Sequence, residues 1–221
     1  MARILLATTV SGFSTNFADA QTAVECDTVI ESKTTMAALA AAKTGTLSTR
    51  TDDDTGEITL STGHGITTGM IVDIYWSGGV RYGVTVGTVA GNAVPFGGEG
   101  GEGAGDVLPI QTTAVTVCEQ TEINLNFDGD DMLFVLAVYR NASDSGACAH
   151  VDFQDSGDAS IQEIDLVVET GGSNGLVRNH NVFNISGGDT NVFTGNRITH
   201  VAASHDSESV GHIYIYCGYN A

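Results

Sequence analysis

Residues 132–139 read Met-Leu-Phe-Val-Leu-Ala-Val-Tyr, and residues 147–153 read Ala-Cys-Ala-His-Val-Asp-Phe. The first run is apolar without interruption, as in a strand covered on both faces. The second alternates: Ala147, Ala149, Val151 and Phe153 fall on one face, and Cys148, His150 and Asp152 on the other. The same period of two continues outward. Ile164, Leu166 and Val168 oppose Glu163, Asp165 and Val167, and Ile213, Ile215 and Cys217 oppose His212, Tyr214 and Tyr216. With further strands predicted at 113–118, 121–127, 161–168, 181–185, 191–194, 197–203 and 211–217, the spacing and the turn residues between them describe a sandwich or barrel.

Upstream, residues 58–61, 70–76, 80–86 and 89–94 form a second set of short strands. Gly63-His64-Gly65 and Ser77-Gly78-Gly79 punctuate them. A low-complexity loop, Gly97 to Gly105, closes this set before Pro109. Helical signal is confined to residues 34–43, Thr-Thr-Met-Ala-Ala-Leu-Ala-Ala-Ala-Lys, a run of strong helix formers with Lys43 suited to its C-terminal end and Gly45 to its C′ position. The fold class expected is mainly β: an antiparallel, jelly-roll-like β-sandwich with a small inserted β-barrel-like module and one short helix. Three segments follow: 1–45 (N-terminal arm, strands and the short helix), 46–109 (β-module with the Gly-rich loop) and 110–221 (β-sandwich).

The 221 residues hold 27 acids against 8 Lys and Arg, a net charge of −19, with 42% hydrophobic residues. That hydrophobic share builds a core rather than an acidic disordered tail. The charge argues against a grip on nucleic-acid phosphates, which needs clustered cations, and against an anionic membrane surface. No apolar run approaches the ~18–20 residues of a bilayer span. The start resembles a signal peptide in carrying Arg3 and Ala18-Asp19-Ala20. Ser11, Gly12, Ser14, Thr15 and Asn16 are too polar for its apolar region, so a retained strand or arm is expected. Cys26, Cys118, Cys148 and Cys217 form no C-x-x-C pair and read as buried thiols, although three disulfide pairings remain open.

Motifs with chemical potential are few. Gly171-Gly-Ser173-Asn-Gly175 matches the nucleophile-elbow pattern without the following helix that positions such a serine. Gly98 to Gly103 matches a dinucleotide loop, yet it opens no helix, and Glu99 and Glu102 would repel a pyrophosphate. Cys148, His150 and Asp152 share one strand face at ~6.6 Å steps and mix soft and borderline ligands, a weak metal candidate that His200 or His212 would complete. The plainer reading is a polar outward face. Acidic turns at Asp52-Asp53-Asp54, at Asp128, Asp130 and Asp131, and at Asp155 to Asp158 are weak Ca²⁺ candidates, since none has the full calcium-loop spacing. No constellation meets the geometric requirements of catalysis, so no enzyme, no cofactor and no metal is expected.

Residues 121–169 also carry a resemblance. A strand leads through Asp128-Gly129-Asp130 to the apolar run Phe134–Tyr139; the turn Asn141-Ala142-Ser143 leads into Ala147–Phe153; Phe183 or Phe193 lies on a later strand. This resembles the small β-sandwich virion proteins of tailed bacteriophages, of the decoration (cement) type. The module at 46–109 is similar to small β-modules inserted in phage structural proteins, although decoration proteins usually lack an insertion in this place. The resemblance implies a homo-oligomer such as a trimer, the major capsid protein or other virion proteins as partners, and a place in the virion after assembly in the host cytoplasm. A tail-tube or neck protein is the alternative. A Ca²⁺- or carbohydrate-binding adhesion module is the reading from outside virion architecture.

Overall fold

The computed structural model describes residues 2–3, 25–26, 31–97, 104–125, 132–141, 147–158, 160–167, 182–184 and 199–219. In chain order the strands are β1 (Ala2–Arg3), β2 (Glu25–Cys26), β3 (Glu31–Leu39), β4 (Lys43–Arg50), β5 (Gly56–Leu60), β6 (Ile71–Trp76), β7 (Gly79–Thr85), β8 (Ala93–Phe96) and β9 (Ala104–Gly105). They continue with β10 (Ala114–Glu119), β11 (Thr121–Asn124), β12 (Met132–Arg140), β13 (Cys148–Gln154), β14 (Ser160–Val167), β15 (Val182–Asn184), β16 (His200–His205) and β17 (Gly211–Tyr219). The strand expected at 191–194 and the motifs at 98–103 and 171–175 lie outside the described residues, as do Asp128, Asp130, Asp131 and most of the N-terminal arm.

Among the described residues, two four-stranded antiparallel sheets form the sandwich, in the orders β15-β12-β17-β3 and β11-β16-β13-β14. Numbered within the sandwich alone, from β3 as the first strand to β17 as the eighth, these orders read 6-3-8-1 and 2-7-4-5. That wrapping, in which the chain passes repeatedly from one sheet to the other, is the eight-stranded jelly roll. Alternation drives it. Ala149, Val151 and Phe153 of β13 point inward with Leu166 of β14, Val201 and Ala203 of β16, and meet Leu39, Tyr139, Ile213 and Ile215 of the other sheet.

The barrel is inserted between the first and second jelly-roll strands. Its sheet runs β8-β5-β4-β10-β6-β7-β9 and curls so that the end of β7 reaches β8. Val86, just past β7, bridges Phe96 of β8, and the Gly87 N–H donates to the Pro95 carbonyl at 2.8 Å. Leu47, Ile58, Val72, Ile74, Val84, Val94, Phe96, Val115 and Val117 fill the interior, as side chains do in small barrels. The module is wider than the 46–109 read from sequence: it begins at Lys43 and takes in β10, which the strand spacing at 113–118 places in the sandwich.

The helix expected at 34–43 is not formed; among the described residues there is no helix. Residues 31–39 are β3, paired along their length with β17 from Glu31↔Tyr219 to Leu39↔Gly211. The preference of alanine for helix is a few tenths of a kcal/mol per residue. A full ladder on the sandwich edge, with Leu39 buried in its core, outweighs that preference. Ala40, Ala41 and Ala42 then carry the chain into the barrel, and Gln120 alone links β10 back to β11.

The two cores are separate, so each has its own probe. Phe153→Ala in the sandwich is expected to lower unfolding free energy by about 3–5 kcal/mol, and Leu47→Ala in the barrel by about 2–5 kcal/mol. Urea titration followed by the fluorescence of Trp76 and by far-UV circular dichroism checks both.

Candidate functional site

The outer face of the β11-β16-β13-β14 sheet is polar. Ladder pairing sets its rows: Ser204, His150 and Asp165 side by side, then Ala202, Asp152 and Glu163, with Glu122 of β11 opposite Ala202. The barrel leans on this face with β6 and β7. Strand β6 turns Val72 and Ile74 into the barrel, so Asp73 and Tyr75 alternate toward the sandwich.

Asp73 is fully buried there. Its Oδ1 accepts from the Gly83 N–H at 2.7 Å and from Gln120 Nε2 at 2.8 Å, and its Oδ2 accepts from the Ser204 hydroxyl. Ser204 spends its proton on Asp73, so the Tyr75 hydroxyl, 2.5 Å away, donates to Ser204 Oγ. Burial raises the Asp73 pKa, an effect opposed by the charge of His150 and by these three donors. Burial and the Asp73 charge hold the Tyr75 phenol well above its usual range, as its donor role requires. Gly83 has φ +69°, which turns its N–H toward the carboxylate and suits glycine.

His150 lies beside Ser204, 2% exposed, and stacks on Tyr82 of β7 with ring centroids 3.9 Å apart and planes 9° from parallel. Its Nδ1 faces Asp165 Oδ1 at 3.1 Å. Asp152 accepts from Gln154 at 2.7 Å and Ser160 at 2.6 Å. Cys148 is half-buried and reduced; burial, reinforced by Asp165 and Asp206, pushes its thiol up to about 12. Cys118 is likewise free and pushed up to about 12 by burial, so neither has thiolate reactivity at neutral pH.

The strand therefore splits Cys148, His150 and Asp152 from the core residues as its alternation predicts, but that face is no outward surface: the barrel covers it. His150 turns to Asp165 and Tyr82, and Asp152 to Gln154 and Ser160. Among the described residues no three His, Cys, Asp or Glu converge as a metal site. His200, the proposed completing ligand, pairs with Asp158 at 3.3 Å, and His212 lies on β17 of the opposite sheet. At the first acidic turn Asp52 accepts from the Asp54 and Thr55 N–H groups, Asp53 pairs with Arg50, and Asp54 pairs with Arg81 at 3.0 Å. At Asp155 to Asp158, Asp155 accepts from the Gly157 N–H at 2.8 Å.

Beside this junction the barrel and the sandwich leave an open groove of about 580 Å³. Tyr82, Ile71 and Thr85 wall it on the barrel side. Glu122, Asp152, Asp158, Glu163 and His200 line the sandwich side. Four carboxylates around one aromatic ring make it acidic. Sequence reading did not single out Asp73, Tyr75, Tyr82, Gln120 or Ser204. The usable signal was Asp73 itself, an acid inside the otherwise apolar Ile71-Val-Asp-Ile-Tyr-Trp76, which in a folded sheet needs donors.

No family model matches the chain, and no curated protein or solved structure matches it.

Ser204→Ala leaves one lobe of a buried carboxylate and a buried phenol without their shared partner. The expected loss is about 1–3 kcal/mol, and Tyr75→Phe combined with Ser204→Ala should add less to that loss than Tyr75→Phe costs alone. A double-mutant cycle in urea measures both.

Proposed function

We propose that this chain is a structural protein of a tailed-bacteriophage virion, of the decoration type, working by assembly rather than catalysis. The observation that carries this reading is the strand order of the sandwich. An eight-stranded jelly roll is an architecture used repeatedly in viral capsid proteins, and it agrees with the resemblance carried by residues 121–169. The polar groups at the barrel–sandwich junction support it further: Asp73, Ser204, Tyr75 and Asp152 are engaged with one another or with neighbouring donors, the arrangement of a fastening. A net charge of −19 keeps many copies soluble at high local density. In this reading the chain forms a homo-oligomer such as a trimer and binds the major capsid protein. Preference for the mature lattice would stabilise that lattice by linkage.

A second reading has its own observation. Jelly rolls also serve as lectin domains, and the acidic groove beside Tyr82 offers carboxylates and an aromatic face to Ca²⁺ or a carbohydrate.

Sedimentation velocity of the purified chain, followed by co-sedimentation with immature and mature phage capsids, tests the first reading. A discrete oligomer that pellets with mature capsids is the expected result. Rings of six that stack into tubes point instead to a tail-tube protein. A monomer that pellets with neither capsid overturns the decoration role. For the second reading, calcium at a hundredfold excess over its dissociation constant should add about 2.7 kcal/mol of stability; an unchanged melting curve at millimolar calcium removes the calcium form.

A further inference from the structure

The groove beside the junction holds a polar atom that the fold leaves unused. His150 lines the groove and is 2% exposed. Its Nδ1 faces Asp165 Oδ1 at 3.1 Å, and its ring is stacked on Tyr82. Its Nε2 is buried and has no hydrogen-bond partner among the described residues. A buried polar atom in that state costs free energy until a partner reaches it.

Ladder pairing sets out the sandwich wall of the groove. Glu122, Ala202, Asp152 and Glu163 form one row across β11, β16, β13 and β14, next to the row that holds His150. Ala202 is the small member of that row, between Glu122 and Asp152. The Tyr82 hydroxyl donates to Glu163. Asp158 and His200, paired at 3.3 Å, line the same groove. Among the described residues no Lys or Arg lines it. The amide and hydroxyl donors are already turned to other acids: Gln154 and Ser160 donate to Asp152, and Gln120 donates to Asp73. The groove therefore presents acceptors and negative charge, so a guest that fits it donates hydrogen bonds and is a cation.

We propose that this groove receives an arginine side chain, carried on a basic segment of the protein with which this chain assembles.

The donor set selects the guanidinium. Among the described residues no three His, Cys, Asp or Glu converge as a metal site. A lysine ammonium is a compact, strongly hydrated point charge. A guanidinium is flat and weakly hydrated, offers several N–H donors in a fixed fork, and lies well against aromatic rings. Those properties match carboxylates spread along a row, the ring of Tyr82 beside them and an unused imidazole nitrogen. With Nδ1–H donating to Asp165, the neutral imidazole carries its lone pair at Nε2 and accepts. The partner's being a virion protein rests on the assembly reading above; the guanidinium site does not.

NMR titration of the full-length chain at about pH 8.5, above the ordinary histidine range, tests the site with three blocked peptides: acetyl-Gly-Arg-Gly-amide, its lysine counterpart and its citrulline counterpart, which keeps the shape without the charge. The arginine peptide should bind roughly tenfold tighter than either. Glu163→Gln, and His150→Phe, which keeps a ring against Tyr82, should each weaken it roughly tenfold. Glu122→Gln, at an exposed position, should weaken it as well and decides the matter if His150→Phe fails to fold. Glu208→Gln removes the same charge at an exposed position that does not line the groove and should leave the affinity unchanged. In the free chain burial works against the imidazolium, but the hydrogen bond to Asp165 and the charges of Asp73, Asp165 and Glu163 outweigh it and hold the His150 pKa above 6.5. A guanidinium beside Nε2 is a like charge, so saturation with the arginine peptide should lower the His150 midpoint. Equal binding of the lysine or citrulline peptide, an unmoved His150 midpoint, or equal losses in Glu208→Gln and Glu122→Gln overturns the site. Free L-arginine, whose α-carboxylate the acidic wall repels, should bind more weakly than the blocked peptide; tighter binding makes the guest a free small molecule and overturns the partner. Arginine binding without pelleting on capsids leaves the groove standing and removes the decoration role, and pelleting without arginine binding does the reverse.

Discussion

A carboxylate removed from water must be given back its hydrogen bonds, and the attachment of the barrel to the jelly roll depends on how Asp73 meets that requirement. One donor comes from its own barrel, the Gly83 N–H; one from the connector, Gln120; and one from the jelly roll, Ser204. Separation of the two modules would break that set and expose a side chain whose neighbours were chosen for it. Directional bonds of this kind fix orientation more sharply than apolar contact, because one wrong angle leaves a buried group unsatisfied.

The polar face of β13 makes sense on the same terms. A sandwich sheet with a solvated outer face carries mixed polar residues and needs no special partners. Here Asp152 accepts from Gln154 and Ser160, His150 lies against Tyr82 and Asp165, and the Cys148 N–H donates to Asp206 at 2.7 Å. A second set of buried polar contacts lies nearby. The His205 Nε2 donates to the Ala40 carbonyl at 2.7 Å, and its Nδ1 accepts from the Tyr139 hydroxyl at 2.7 Å. That imidazole pins the chain at the point where it leaves the sandwich for the barrel.

The alternation at 147–153 located the sandwich core correctly, because the strand period converts directly into faces. The Gly-punctuated strands near 58–86 fall in the seven-stranded sheet as β5, β6 and β7. The alanine run at 34–43 misled, since intrinsic propensity is a local quantity while β3 is held by a ladder to residues 211–219, far along the chain. The junction stayed hidden for the same reason: Asp73, Ser204 and His150 come from distant stretches, and nothing local shows that they meet. The covering of the Cys148, His150 and Asp152 face was equally invisible, because a period of two separates the faces of a strand without saying what lies against each.

The barrel enters and leaves through neighbouring strands: β4 and β10 pair side by side, with Lys43 opposite Val117. Paired strands lie only about 5 Å apart. To the jelly roll, therefore, the whole run from Lys43 to Glu119 occupies the place of a loop crossing from one sheet to the other. Such a doorway lets the entire cassette be exchanged or removed without rethreading any strand of the jelly roll's own sheets, and it marks the Ala40–Ala42 and Gln120 connectors as the natural seams for grafting a foreign domain.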